Sequence, residues 1–390
     1  MSINFYLHLL ALRVLQKYAG PPVHVCLPKP PDAPTAHRTR ADTNSMRSLN
    51  FPKKIRSRFL ARHIFLFSLL VLHCTSAMAA SHVMCVWDPL GSQGDYFNML
   101  KDYQIAAKRW NVDLTLKAYT DEARSVDDFK NGKCDIINMI GYRARLFNKF
   151  SGTLEAAGAL ENYADMREAL SLINSPRAAK YLASDDFEVV GIIPLGAGYP
   201  FVNDRRINGL GPAKGKKIAV VDWDPVQTML VRQVEAVPAP MDLTQFGPRF
   251  NAGDVDILLV PMVMYKPLEL ARGIGTRGGI VRRPILQFTM QLIDRQSRFP
   301  AEFASSSRNY MLNQINFAIG VIRNQERAVE PGMWIYSSTS ELREYNRLMA
   351  GARAALTAAG YYDHRMLGIL KRIRCQTRAA TDADCGPEAE

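Results

Sequence analysis

From residue 80 onward, short unbroken apolar runs alternate with stretches in which apolar residues recur every three or four positions. Runs of the first kind suit strands covered on both faces, and the second kind marks amphipathic helices. The pattern is clearest in mid-chain. Residues 217–221 predict a buried strand, Trp223-Asp224-Pro225 a turn into a helix, the residues after that helix a polar connector, and residues 256–260 a second buried strand. Pro225 suits a first helical turn, where its missing N–H is no loss.

The same plan occurs once before. Val86-Trp87-Asp88-Pro89 ends an early strand, and Phe129, Gly132, Asp135 and Ile136 repeat the F-x-x-G-x-x-D-I spacing of Phe250, Gly253, Asp256 and Ile257. In each copy the glycine closes a helix and the aspartate enters a strand. Two copies of one plan predict an α/β fold of two like lobes facing each other across a cleft. A single α/β sheet with a chance echo is the competing reading.

The other elements fit α/β units. A strand at 82–87 leads through Pro89–Gly94 into a helix over 95–110, with Tyr96, Leu100, Tyr103, Ala107 and Trp110 at helical spacing. Residues 112–118 alternate as a half-buried strand, and Ser125-x-x-Asp128 predicts a capping box for the short helix that Gly132 closes. A strand follows at 134–140, then helices around 164–173 and 177–182. Two strands, 187–194 and 199–203, cross into the second lobe. A short helix at 267–272, a strand-rich segment at 279–294 and helices over 300–329, from Ser338 to Gly360, and 363–373 complete the chain. The expected lobes are residues 80–200 with part of 285–330, and 201–284 with part of 331–390.

Charge changes this picture little, once its location is considered. The formal charge is +12, but residues 1–79 carry 11 Lys/Arg against Asp32 and Asp42 alone, so residues 80–390 are left near +3. That balance offers no field suited to a polyanion, and no nucleic-acid partner is expected. The excess belongs to a leader. Lys53, Lys54, Arg56, Arg58 and Arg62 precede an apolar run at 64–72, far shorter than the roughly 20 residues that span a bilayer, and Ala77-Met78-Ala79 is a small-x-small cleavage site. Residues 46–79 therefore read as a signal peptide cleaved near Ala79-Ala80, residues 1–45 as a non-native extension before the start at Met46, and the destination as the periplasm. Four cysteines remain after cleavage, an even number that argues for disulfides in an exported chain. Cys85 and Cys134 sit at strand positions of one lobe, where neighbouring strands come within bridging range; Cys375 and Cys385 would staple the tail. Zinc binding is the weaker alternative, because the spacing fits no C-x-x-C pattern.

Candidate chemistry is narrowed by what is missing. Only His82 and His364 lie beyond the leader, neither in an H-E-x-x-H pattern, and there is no G-x-S-x-G elbow or Walker sequence. No enzyme, cofactor or metal is expected. Ligands of open α/β sheets collect at the carboxyl ends of strands, which nominates Asp88, Ser92, Tyr142, Arg143, Trp223, Asp224 and Tyr265; Tyr199, in the crossing segment, completes the set. Gly91-Ser92-Gln93-Gly94 before a helix is either an anion cradle or a plain turn. Asp88 and Asp224 read equally well as helix caps. Arg143 is the best holder of an anionic group, since a guanidinium makes bidentate pairs, with a surface ion pair as its alternative.

The runs CVWDPLGSQGDYFNMLKDYQ, DFKNGKCDIINMIGYRARLFNKFSGTLEAAGAL, GYPFVNDRRI, KGKKIAVVDWDPVQ and YYDHRMLGILKRIRC resemble a family of exported solute-binding proteins related to the substrate-binding subunits of tripartite ATP-independent periplasmic (TRAP) transporters. The resemblance covers nearly the whole chain after the leader. It implies a two-lobed periplasmic-binding-protein-like fold of the TRAP type, with crossing strands and long C-terminal helices. The implied function is capture of a small molecule for integral membrane transporter subunits. Some relatives carry the label of RND-type efflux components, which implies the alternative of a ligand-free accessory protein of an envelope complex. One departure stands out. In TRAP binding subunits an Arg after a G-L-K-I-like motif anchors the substrate carboxylate; here Gly215-Lys216-Lys217-Ile218 is followed by Ala219, and a second basic position falls near Pro200. Losing such an anchor would cost several kcal/mol of carboxylate affinity, so the resemblance points to Arg143 as a substitute or to an uncharged ligand.

Overall fold

The computed structural model describes residues 80–184, 186–376 and Cys385; the extension at 1–45 and the leader at 46–79 lie outside them. Among the described residues ten strands form one sheet, and its order shows how the repeat is used. The first copy supplies β1 (Ala80–Trp87), α1 (Asp95–Ala107), β2 (Val112–Tyr119), α2 (Glu122–Lys130), β3 (Ile136–Ile140) and the single turn α3 (Gly141–Ala144). After α4 (Tyr163–Ile173) and the long strand β4 (Phe187–Val202), the second copy supplies β5 (Lys217–Val221), α5 (Pro225–Gln233), β6 (Val237–Met241), α6 (Phe246–Ala252) and β7 (Ile257–Pro261). Short β8 (Gly279–Val281), β9 (Leu286–Arg295), α7 (Phe303–Arg327), β10 (Trp334–Ile335), α8 (Thr339–Ala358) and α9 (His364–Arg374) follow.

The path of the sheet is β2-β1-β3-β9-β4-β7-β5-β6. Each lobe is thus a parallel triplet with its first strand in the middle, and the antiparallel pair β9/β4 joins the triplets. The repeated residues do the same work twice. Asp135 accepts a hydrogen bond from the Val83 N–H at 3.0 Å, and Asp256 accepts one from the Lys217 N–H at 2.8 Å, so each aspartate ties the start of its lobe's first strand. Gly132 and Gly253 take φ of 74° and 80°, the left-handed conformation in which a glycine carries no Cβ penalty. The echo is structural, not chance.

Three expectations change. The helix at 122–130 is capped by Asp121, which accepts from the Arg124 N–H; Ser125 sits inside it and bonds back to the Glu122 carbonyl, so the capping box lies one turn too late. The two strands at 187–194 and 199–203 are one 16-residue strand, kept continuous by bulges near Val190 and Leu195. The polar connector after α5 contains β6, whose Pro238 and Pro240 are tolerated because it is the edge of the sheet. The cysteines pair as expected, Cys85 with Cys134 and Cys375 with Cys385, each at a Cα separation of 5.7 Å. Cys134 lies just before β3, whose partner is β1, which is why the first pair is in reach.

Candidate ligand site between the lobes

The carboxyl ends of β1, β2 and β3 face those of β6 and β7 across a cleft of about 320 Å³. The first lobe contributes Trp87, Thr120 and Ile140, and the second contributes Thr244, Val260 and Met264. No charged side chain lines it. The polar groups that do are Thr120, Thr244, Tyr142 and Gln227. Burial holds the Tyr142 phenol well above its ordinary pKa, so it is a donor at any physiological pH, and its hydroxyl has no hydrogen-bond partner among the described residues. Phe288 meets the Tyr142 ring edge-on at 5.7 Å and fixes its orientation.

Tyr142, Gln227 and Leu259 also line a second cavity, of about 160 Å³, walled mainly by the second lobe. Those three side chains are the partition between the two spaces. Ala219 and Pro200, the positions where the TRAP resemblance expects basic anchors, both line this second cavity. It is walled chiefly by aliphatic residues.

Three of the predicted residues, Arg143, Trp223 and Asp224, form a clasp between the lobes together with Arg145 and Glu122. Arg145, one turn beyond β3, places Nη2 2.7 Å from each carboxylate oxygen of Asp224, which follows β5. Both side chains are almost wholly buried, at 6% and 3% exposure. The Arg143 guanidinium lies 3.7 Å from the centre of the Trp223 ring and donates from Nε to Glu122 at 3.0 Å. Glu122 is fully buried, which raises its pKa, while Arg143 and the Ile140 N–H pull it back down. Arg143 thus meets protein partners through Nε and the face of its guanidinium, its buried Nη2 has no partner among the described residues, and it does not line the cleft.

The remaining predicted residues are accounted for individually. Asp88 accepts from the backbone N–H groups of Leu90, Tyr96 and Phe97 at 2.8–3.2 Å, so amides on either side of the Gly91–Gly94 loop bind the protein's own carboxylate. A Cβ on Gly94 would lie 1.8 Å from Asp88 Oδ1, which is why that position is glycine. Asp224 also caps α5 through the Val226 N–H. Ser92 is exposed on the loop. Tyr199 donates to Glu326 at 3.1 Å and packs on Trp334, and Tyr265 stacks on Phe201; neither lines the cleft. Of the eight, Tyr142 alone lines the cleft. Thr120 was within reach of the strand-end rule, since it follows β2. Thr244 follows β6, a strand the sequence did not reveal, and Gln227 lies inside a helix, where no strand-end rule looks. No group of His, Cys, Asp or Glu able to hold a metal occurs among the described residues.

A two-lobed α/β sheet with crossing central strands and a strand-end cleft defines the solute-binding protein class. The chain is matched over residues 104–390 by the family model described as solute-binding protein AdeT 1/2, and it belongs to that family, whose members bind solutes and are not enzymes. "Probable solute-binding protein AdeT1" of Acinetobacter baumannii is 41% identical over 291 residues, 75% of this chain and 96% of the relative; the corresponding AdeT2 is 27% identical over 224 residues, 57% of this chain and 94% of that one. Among solved structures, a TRAP periplasmic solute-binding protein from Ralstonia eutropha with bound (S)-2-acetolactate matches at TM-score 0.60 and 13% identity, covering 75% of this chain and 99% of its own. One from Shewanella oneidensis with bound succinate matches at TM-score 0.60 and 10% identity, again over 75% and 99%. These likenesses show the TRAP-type fold.

Proposed function

We propose that this chain is a periplasmic protein, exported by residues 46–79, that closes on an uncharged small molecule in the interlobe cleft and presents it to integral membrane transporter subunits. Residues 80–200 with part of 285–330 would form the first lobe, and residues 201–284 with part of 331–390 the second. The observation that carries the reading is the cleft lined from both lobes at strand ends, with no charged side chain on its wall. Closure of this kind needs no catalysis, only better contacts in the closed state. Tyr142, Thr120, Thr244 and Gln227 would bond the solute's polar groups. The absence of a lining cation argues against the carboxylates bound by the structural neighbours.

A thermal-shift screen of protein purified from the periplasm tests this. A ligand at 100 times its Kd adds about 2.7 kcal/mol of stability, and the expected hits are neutral sugars, amides or alcohols whose effect falls in Tyr142→Phe. Hits confined to carboxylates, or unaffected by Tyr142→Phe and Thr244→Trp alike, would remove the cleft from consideration. The clasp favours one other reading, an accessory role in an envelope complex, because Arg145 and Asp224 join the lobes with the protein's own charges. Stable capture of membrane proteins by ligand-free chain, combined with a flat screen, would favour that role.

A further inference from the structure

We propose that the pole of the first lobe remote from the cleft is a docking surface for anionic phospholipid headgroups. Six exposed cations gather there: Lys130, Lys149, Arg177, Lys180, Arg365 and Arg372. Ring contacts show that they share one surface. Lys130 Nζ lies 5.9 Å from the centre of the Phe147 ring, and Lys149 follows two residues later. Phe150 meets the Tyr181 ring at 5.1 Å, and the Asn148 amide donates to the Tyr181 carbonyl at 2.9 Å. Tyr181 is in turn covered by Lys180 Nζ, 5.0 Å from its ring centre, and by the Arg365 guanidinium at 5.4 Å. Phe147 also packs on Phe187, the first residue of β4, which β9 holds nearly level with Ile136 at the start of β3. The other end of β3 faces the cleft, so these cations lie at the opposite pole.

None of the six forms an ion pair among the described residues, whereas Lys108, Lys117 and Lys133 of the same lobe each meet an aspartate. The acids beside them in sequence are Asp127, Asp186 and Asp363, and Asp363 is occupied with the Arg365 and Met366 N–H groups that start α9. The surface therefore keeps a positive excess. α9 buries Met366, Leu367, Leu370 and Ile373 and leaves Arg365 and Arg372 exposed, two turns and about 10 Å apart. Cations spread this far, from four separate segments, cannot close on a single small anion. They suit a plane of negative headgroups, to which each Lys or Arg near the surface adds attraction that salt screens. Leu146, 59% exposed and three residues before Lys149, adds an apolar side chain that the headgroup boundary accepts. No helix among the described residues is long and apolar enough to cross a membrane, so the contact is a peripheral one. The inference rests on the proposed export of the chain, and not on what the cleft holds.

The test is flotation of the full exported chain with vesicles of phosphatidylcholine, alone or mixed with phosphatidylglycerol. Binding is expected to the mixed vesicles only; molar salt should abolish it, and inorganic phosphate at matched ionic strength should not displace it. Arg365→Gln/Arg372→Gln should weaken it about 25-fold, at about fivefold per cation lost. Lys149→Glu/Lys180→Glu, which reverses two charges, should weaken it further, and both variants should melt like wild type. Arg232→Glu/Lys266→Glu, on the second lobe, should change it by no more than about twofold. Absence of vesicle binding, equal binding to both vesicles, or an equal loss in the second-lobe control would overturn the inference. Capture of membrane proteins that the patch variants abolish, without vesicle binding, would assign the surface to an acidic protein and overturn the lipid partner. The same variants in the thermal-shift screen should keep their solute hits, so failure of the docking surface is distinguishable from failure of the cleft.

Discussion

Replacing Asp224 by Asn removes one charge from the clasp and little else. Asn is as good a helix cap as Asp, so the bond to the Val226 N–H that starts α5 should persist. What changes is Arg145. Its guanidinium is 6% exposed, loses a carboxylate that met it at two 2.7 Å contacts, and already has Nη1 buried without a partner. Breaking a buried pair from one side costs about 3–5 kcal/mol, because the surviving charge is left uncompensated. A chain of this size loses about 2 °C per kcal/mol, so a drop of about 6–10 °C in Tm is expected. Because the two residues belong to different lobes, the radius of gyration in solution scattering should also rise. The double variant Arg145→Met/Asp224→Asn, which leaves no orphan charge, should recover most of the loss. A single variant within about 1 kcal/mol of wild type by urea melt, or a double variant as unstable as the single, would refute the reasoning.

Burial pushes the carboxyl of Glu155 up to about 7 and that of Asp294 up to about 8. Both carboxyls keep protons that the unfolded chain releases near pH 4. Stability should therefore be greatest below about pH 4 as far as these groups are concerned. It should fall as pH rises towards 7 and 8, by up to about 1.4 kcal/mol per pH unit for each group; urea melts across pH 4–8 read the slope, and Asp294→Asn should flatten it. The disulfide between Cys85 and Cys134 closes a separation of 49 residues, against 10 for Cys375 and Cys385. Chain entropy gives the longer loop about 4 kcal/mol and the shorter about 3 kcal/mol, so Cys85→Ser/Cys134→Ser should lose about 1 kcal/mol more stability than the corresponding tail variant; equal losses would contradict that account.

How much of this was legible in the chain depends on how local each feature is. The lobes were readable because Gly132 and Gly253, and Asp135 and Asp256, do local work: a left-handed helix end and a tied strand start leave the same spacing wherever they recur. The α8 cap at Ser338 and the helix stop before Gly360 were readable for the same reason. β6 was hidden because prolines argue against a strand unless it is an edge, and an edge is a fact about neighbours. β4 was split because a bulge is decided by the partner strand.

The site was less readable. Asp88, Arg143 and Asp224 sit at strand ends, as the rule required, but which strand ends are filled by protein and which are left to a ligand is settled only by packing. Asp88 is surrounded by amides that its own loop delivers, and Arg143 and Arg145 meet Trp223 and Asp224 from across the lobes at a separation of some 80 positions. The sequence by itself determined the α/β class, the repeat and the cysteine pairs, because those rest on period, spacing and local backbone conformation. Only the tertiary structure decided that charges close the clasp while aliphatic and hydroxyl groups line the cavities, because burial and ion pairing are properties of residues brought together from distant parts of the chain.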